Sequence, residues 1–398
     1  VMGGSPGRQA GAVAAAIISL LLEEGAELEQ RNEVGHYVAG WYADYTPLMW
    51  SVINIWDNLE IVLTFIEAGA NLEAKDINGV TALMLAAGYN DNPKVILALL
   101  EAGADLKTKD KNDVTALMRA AGQTNNPGVL LALIKAGADL EAIDKGVSPL
   151  NLWRRANGSQ PNSRHPYAEH YMDRFEYGRV NSKSNPESIM EDKNRRGVTA
   201  LMRAAESNPN PTIALVLIDA GAEIEAADKD GVTSLMRAAA SNSNPEVVLA
   251  LIDRGADLEA KDKKGMTPLM HAAANSGVRT FSRMIFRAKT QKLSAGLISR
   301  LKESESEYAK DSNSKVALAL IDKGANLEAK DKKGMTPLMH AAASNTNPDV
   351  ISALIEAGAD AKAKNKSGKN ALYYAKKNDY INKSEAYQDL KNAIKKKR

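Results

Sequence analysis

Residues 231–264 read GVTSLMRAAASNSNPEVVLALIDRGADLEAKDKK, and this stretch decides the fold. Thr233 carries the side-chain oxygen that a helix N-cap needs. Leu235, Met236, Ala238 and Ala239 follow at helical spacing, with alanines small enough to let a neighbouring helix approach closely. Asn244-Pro245 opens a second helix, with Pro at the first position, where its missing N–H is not needed. Val247, Val248, Leu249 and Leu251 supply that helix's apolar stripe. Gly255 suits a left-handed C-cap, and Asp257 to Gly265 predicts an extended turn. Two helices this short cannot bury their apolar faces alone, so stability must come from stacking one pair on the next.

The chain supplies the copies. Thr-x-Leu-Met recurs from Thr46, Thr81, Thr115, Thr199, Thr233, Thr267 and Thr336, with weaker copies at Ser148 and Asn370. Successive spacings are 35, 34, 33, 51, 34, 34, 69 and 34 residues, a period of 34 with two insertions. A second landmark beginning Gly-Ala stands at Gly25, Gly69, Gly103, Gly137, Gly221, Gly255, Gly324 and Gly358. The 44-residue step from Gly25 to Gly69 places a third insertion of ten residues between them.

These motifs resemble the ankyrin repeat across essentially the whole chain. The departures are Met where that family has His, and one extra residue in the turn between the helices, as in Ser241 to Pro245. The resemblance implies an all-α ankyrin-repeat solenoid of helix-turn-helix units joined by short hairpin turns, about ten units with caps. It also implies that the bridge between repeats normally made by the His is replaced here by packing of the flexible Met side chains.

On this reading residues 1–398 are one solenoid. Residues 1–30 are a degenerate half repeat, 36–45 an aromatic loop insertion, and 145–194 a divergent repeat with an insertion. Residues 275–314 are a basic helical insertion and 366–398 a capping repeat with a polar, lysine-rich outer face. The apolar run from Ala10 to Leu22 is too short to cross a bilayer and runs into the Gly25 landmark. It is therefore expected to be a helix of the first repeat, its missing upstream half marking a degenerate cap or a trimmed terminus.

Composition narrows the function. Four Phe and four Trp cannot fill one large globular core. With 51 Lys and Arg against 49 Asp and Glu, no whole-molecule field favours nucleic acid or membrane. The absence of Cys removes disulfides, thiolate metal sites and Cys nucleophiles. It suits a cytoplasmic protein, the preferred compartment, and an exported one alike. No phosphate-binding Gly loop, Gly-x-Ser-x-Gly elbow or catalytic carboxylate pair is present, so no enzyme and no cofactor are expected.

Residues that break the repetition are the candidates for function. Tyr37, Trp41, Tyr42, Tyr45 and Trp50 gather the residue types that anchor interfaces, or else cover the end of the first repeat. The position four after each motif Thr holds Trp50, Leu85, Arg119, Leu152, Arg203, Arg237, His271, His340 and Tyr374. These are either a binding stripe along a groove or, slightly preferred, an inter-repeat ladder in which Arg pairs with Glu191, Glu225 or Glu259 of adjacent turns. Arg279, Arg283, Arg287, Lys289, Lys292, Arg300 and Lys302 interleave with apolar residues and no carboxylate, the pattern of a basic amphipathic hairpin for an anionic partner. His165 and His170, five apart beside Glu169 and Asp173, miss the i, i+4 spacing of helical zinc ligands. No metal is assigned there, and the insert is expected to bend the stack or widen a groove.

The expected function is a monomeric, non-catalytic scaffold that binds a partner protein. Its contacts would be Tyr37, Trp41, Tyr42, Tyr45, Trp50, Arg119, Arg203, Arg237, His271 and His340. The alternative is a binder of nucleic acid or another anionic ligand through the basic insertion, together with Lys263, Lys264, Lys332 and Lys333 at the turn tips. Least favoured is an enzyme or metal site in the 145–194 insert.

Overall fold

The computed structural model describes residues 6–31, 44–53, 59–145, 197–275 and 314–395. In chain order the helices are α1 (Pro6–Glu23), α2 (Pro47–Val52), α3 (Leu59–Glu67), α4 (Ala82–Tyr89), α5 (Pro93–Glu101), α6 (Ala116–Gln123) and α7 (Pro127–Lys135). Then follow α8 (Ala200–Ser207), α9 (Pro211–Asp219), α10 (Ser234–Ser241), α11 (Pro245–Asp253) and α12 (Pro268–Ala274). The last are α13 (314–322), α14 (Pro337–Ser344), α15 (Asp349–Glu356), α16 (Ala371–Ala375) and α17 (Glu385–Lys395). No strand forms among the described residues, where Ala227 and Thr233 make an isolated bridge.

Local chemistry sets these boundaries. Each motif Thr accepts a hydrogen bond from the Met amide three residues on, at 3.3–3.5 Å from Thr46 through Thr336. Asn92, Asn126 and Asn244 cap α5, α7 and α11 by accepting from the amide two residues on, with Pro at the first helical position. Gly255, at φ 94°, ends α11: its N–H reaches Ile252, and the Ala256 N–H reaches Leu251 at 3.0 Å. That is the paired closure of a left-handed helix end. The expected cap, start and stop are all in place.

The core is a column of Leu-Met pairs. Met49, Met84, Met118, Met202, Met236, Met270 and Met339 are each at most 1% exposed, at the position where the sequence departs from the ankyrin pattern. Burying such a side chain contributes roughly 1.5–3 kcal/mol. A thioether makes no strong hydrogen bond, so polar links between repeats must arise elsewhere, and three sets do so. At the turn between helices, the Nδ2 of Asn90, Asn242, Asn345 and Asn378 donates to the carbonyl of Val52, Ala205, Ala273 and Ala342. At the base of six hairpins, Glu29, Glu73, Glu141, Glu225, Glu259 and Glu328 accept the backbone N–H of the next repeat at 2.7–2.8 Å. At the hairpin tips, backbone bonds join neighbours, as from Lys111 N–H to the Asn78 carbonyl at 2.9 Å.

The chain divides into two compact units. The described part of the first is 6–31, 44–53, 59–145, 197–204 and 212–223. That of the second is 205–211, 224–275 and 314–395. In the first unit α1 packs on α3, α2 on α4, α4 on α6, and α5 on α7. In the second, the inner helices α10, α12, α14 and α16 pack in succession.

The residues that flank the long insert are tied to one another. An ordinary hairpin is closed by Asp76 N–H to Val80 and Gly79 N–H to Asp76. Asp144 makes the equivalent pair with Val198 and Gly197, at 3.3 and 3.1 Å. Glu141 likewise caps the Glu223 N–H directly. The repeat that ends at Asp144 therefore stacks on the one that begins at Gly197. Asp44, at φ 76°, stands where other hairpins have glycine, and Arg31 bridges to it at 2.8 Å, so the aromatic loop departs from a hairpin tip. The basic insertion departs from the turn between α12 and α13.

Candidate partner-binding surface

The position four after each motif Thr lies one turn into the inner helix, nine residues beyond the Asp that shapes the preceding hairpin. That Asp has two tasks. Its Oδ1 accepts two turn amides, as Asp228 does from Asp230 and Val232, and its Oδ2 is left for the inner helix. Arg119 donates to Asp110 at 2.7 Å and Arg237 to Asp228 at 2.6 Å. His271 and His340 place Nε2 3.1 Å from Asp262 and Asp331. Arg203 pairs with Asp144, and Asn365 donates to the Tyr374 hydroxyl at 2.7 Å.

The ladder reading is therefore corrected in its partners. The Arg residues pair with the Asp of their own hairpin, and the repeated Glu are used for backbone N–H groups. Arg237 adds a second partner, Glu206, at 2.7 Å. Burial opposes the Arg237 charge, but Glu206 and Asp228 outweigh it and hold the guanidinium above its ordinary value. Arg119 behaves in the same way beside Asp110. The Nε of Arg119, Arg203 and Arg237 is buried without a hydrogen-bond partner, so each guanidinium is oriented by its outer nitrogens alone. Asp76, whose own inner-helix counterpart is Leu85, is pushed up by burial, against the lowering pull of the Val80 and Asn78 amides and of the Arg119 charge in the next repeat.

His340 takes the opposite direction. Burial pushes His340 below the ordinary imidazole value, against the raising pull of Asp331 and with help from His271 and Lys333. Burial alone would raise Asp262, yet its hydrogen bonds with His271 and the amides of Met266 and Lys264 hold it below the usual carboxylate range.

Of the aromatic candidates, Tyr45 is buried at 7% exposure and packs edge-on to Trp50, with ring centroids 5.8 Å apart. Trp50 is 37% exposed. Tyr37, Trp41 and Tyr42 lie outside the described residues, as do Leu152, His165, His170 and the basic set from Arg279 to Lys302. Among the described residues no group of acidic, His or Cys side chains could hold a metal ion, and no helix is long and apolar enough to cross a membrane.

Sequence reasoning missed the bridging asparagines. Asn242, 3% exposed, donates to two carbonyls of the preceding repeat and accepts the Asn244 N–H. The signal was present as the extra residue of the turn.

Repeated helix pairs, tied through three sets of polar bonds and varied at one position per inner helix, define a helical repeat protein. A family model for ankyrin repeats matches three copies, residues 48–144, 201–288 and 307–388, more than half of the chain. The chain belongs to the ankyrin repeat family, whose members are generally protein–protein interaction modules and typically non-enzymatic. No curated protein matches the chain.

Proposed function

We propose that the protein is a non-catalytic scaffold that binds a partner protein along the inner-helix face and hairpin tips, with the inserted segments adding contacts. One observation carries the reading. The framework is nearly constant from repeat to repeat, yet the position four after the motif Thr runs from Trp50 through Leu85, Arg119, Arg203 and Arg237 to His271, His340 and Tyr374. A side chain held by its hairpin Asp is already oriented, so little ordering entropy opposes association. Trp50 supplies an exposed aromatic anchor, and Tyr37, Trp41 and Tyr42 precede it closely in the sequence.

The test is affinity capture from source lysate at low and high salt, with wild type, Trp50→Ala and Trp41→Ala. The expected result is one protein, near stoichiometric at both salts and depleted by either substitution. Equal recovery with both variants overturns the assignment of these contacts. Recovery at low salt alone moves binding to the basic insertion.

A further inference from the structure

The hairpin tips of the second unit carry a feature that the fold does not require. Lys263 N–H bonds to the Asp230 carbonyl at 2.7 Å, Lys332 N–H to Lys264 at 2.9 Å, and Lys366 N–H to Lys333 at 3.0 Å. These bonds join three tips into one zigzag, Lys263-Lys264, then Lys332-Lys333, then Lys366, whose steps are alternately a peptide bond and a hydrogen bond. All five lysines are exposed, and none of them makes an ion pair among the described residues.

The first unit provides the internal comparison. There the same backbone bonds join Asn78 to Lys111 and Asn112 to Lys145. That row has two lysines, and Lys145 is neutralised by Asp113 at 3.1 Å. Tip geometry therefore does not call for lysine, and unpaired like charges held side by side oppose folding. In the second unit the hairpin carboxylates Asp262 and Asp331 do not offset the row, since each spends its oxygens on two turn amides and a His.

We infer that this lysine row is a docking site for an acidic, extended segment of a partner protein. With steps of about 3.8 Å along the chain and about 5 Å between bonded backbones, the row spans at most about 18 Å. That length accommodates five or six extended residues at about 3.3 Å each, with carboxylates at alternate positions facing the lysines. A nucleic acid fits less well. The row has no aromatic ring on which bases could stack. Exposed Glu259, Glu328 and Asp257 stand on the same hairpins, where phosphates of a broader double helix would meet them.

The test measures binding of fluorescent poly-L-glutamate, a DNA duplex and phosphatidylserine vesicles to the full chain. One variant is Lys264→Glu/Lys332→Glu/Lys333→Glu; the charge-matched control, away from the tips, is Lys94→Glu/Lys135→Glu/Lys383→Glu. Helical circular dichroism checks folding, and a Lys→Gln version of the tip triple repeats the measurement if the Glu version unfolds. Poly-glutamate affinity is expected to fall about tenfold or more in the tip variant and to stay within about twofold in the control. Equal losses in both variants reduce the effect to net charge and overturn the docking row. Tighter binding of DNA or vesicles than of poly-glutamate, lost with the tip lysines, also overturns it. The inference does not rest on the aromatic contacts proposed above, because Trp50→Ala should leave poly-glutamate binding unchanged.

Discussion

The Nη2 of Arg237 donates to the Oδ2 of Asp228, nine residues earlier, and the same step joins Arg119 to Asp110, His271 to Asp262 and His340 to Asp331. One carboxylate thus shapes a hairpin through Oδ1 and fixes an inner-helix side chain through Oδ2. Tip, hairpin and helix are held as a single piece.

Arg237 is the most enclosed of these, 6% exposed between Asp228 and Glu206. Arg237→Met should destabilise by roughly 3–5 kcal/mol, because it leaves two poorly solvated carboxylates without their cation. Adding Asp228→Asn and Glu206→Gln should recover part of that loss. Urea titration of wild type, the single variant and the triple variant is the measurement. A single substitution costing under about 1 kcal/mol would show that water reaches the site and that the pair is a surface one.

The asparagine at the turn between helices is a second structural commitment. Replacing Asn242 by Ala orphans the Ala205 and Asn208 carbonyls and the Asn244 N–H. A loss of about 2–3 kcal/mol is expected, above that of a single net hydrogen bond. Hydrogen exchange at Asn244 should accelerate in the variant relative to an exposed control turn.

Most of this architecture was legible because period and capping are local properties. Thr233, Pro245 and Gly255 each specify a backbone conformation on their own, so helix starts and ends could be read directly. Pairings across repeats could not. Whether Arg237 meets Glu225 or Asp228 depends on which way the inner helix leans over its hairpin, and spacing alone does not encode that. The pairing of the residues that flank the long insert was illegible for a related reason: the hydrogen bonds between Asp144 and both Val198 and Gly197 are long-range. Tyr45 was equally hard to place, since an aromatic residue just before its motif Thr occupies the buried hairpin-closing position that Val80 fills elsewhere.

Asp113 holds φ 62° at the hairpin position where other repeats have glycine. Asp113→Gly should therefore stabilise by about 0.5–1 kcal/mol, since relief of the left-handed strain exceeds the value of its exposed pair with Lys145. The reverse change is harsher. Gly231→Ala meets φ 77° and would set its Cβ 3.2 Å from the Lys263 nitrogen, so a loss above about 1 kcal/mol is expected. Thermal melts of both variants in one buffer decide the matter through opposite shifts.

The His340 repeat should make stability depend on pH in a defined window. His340 is held below its ordinary value in the folded state, chiefly by burial, with Asp331 opposing and His271 and Lys333 assisting. As pH falls below about 6.5 the unfolded chain takes up the proton first. The native state binds fewer protons across that window, so the contribution of His340 is complete above it and is lost as pH drops through it. Asp262 acts in the same direction at lower pH, since its depressed value gives stability above about 3.8 that is lost on further acidification. His340→Arg should flatten the first window, because an Arg at the equivalent position of the α10 repeat, Arg237, pairs with its Asp and keeps its charge throughout. Urea midpoints for wild type and variant at about pH 7.5 and about pH 5.5 test this: wild type should lose more stability than His340→Arg between the two. Parallel curves would mean that His340 titrates alike in both states and that its burial is not what the geometry implies.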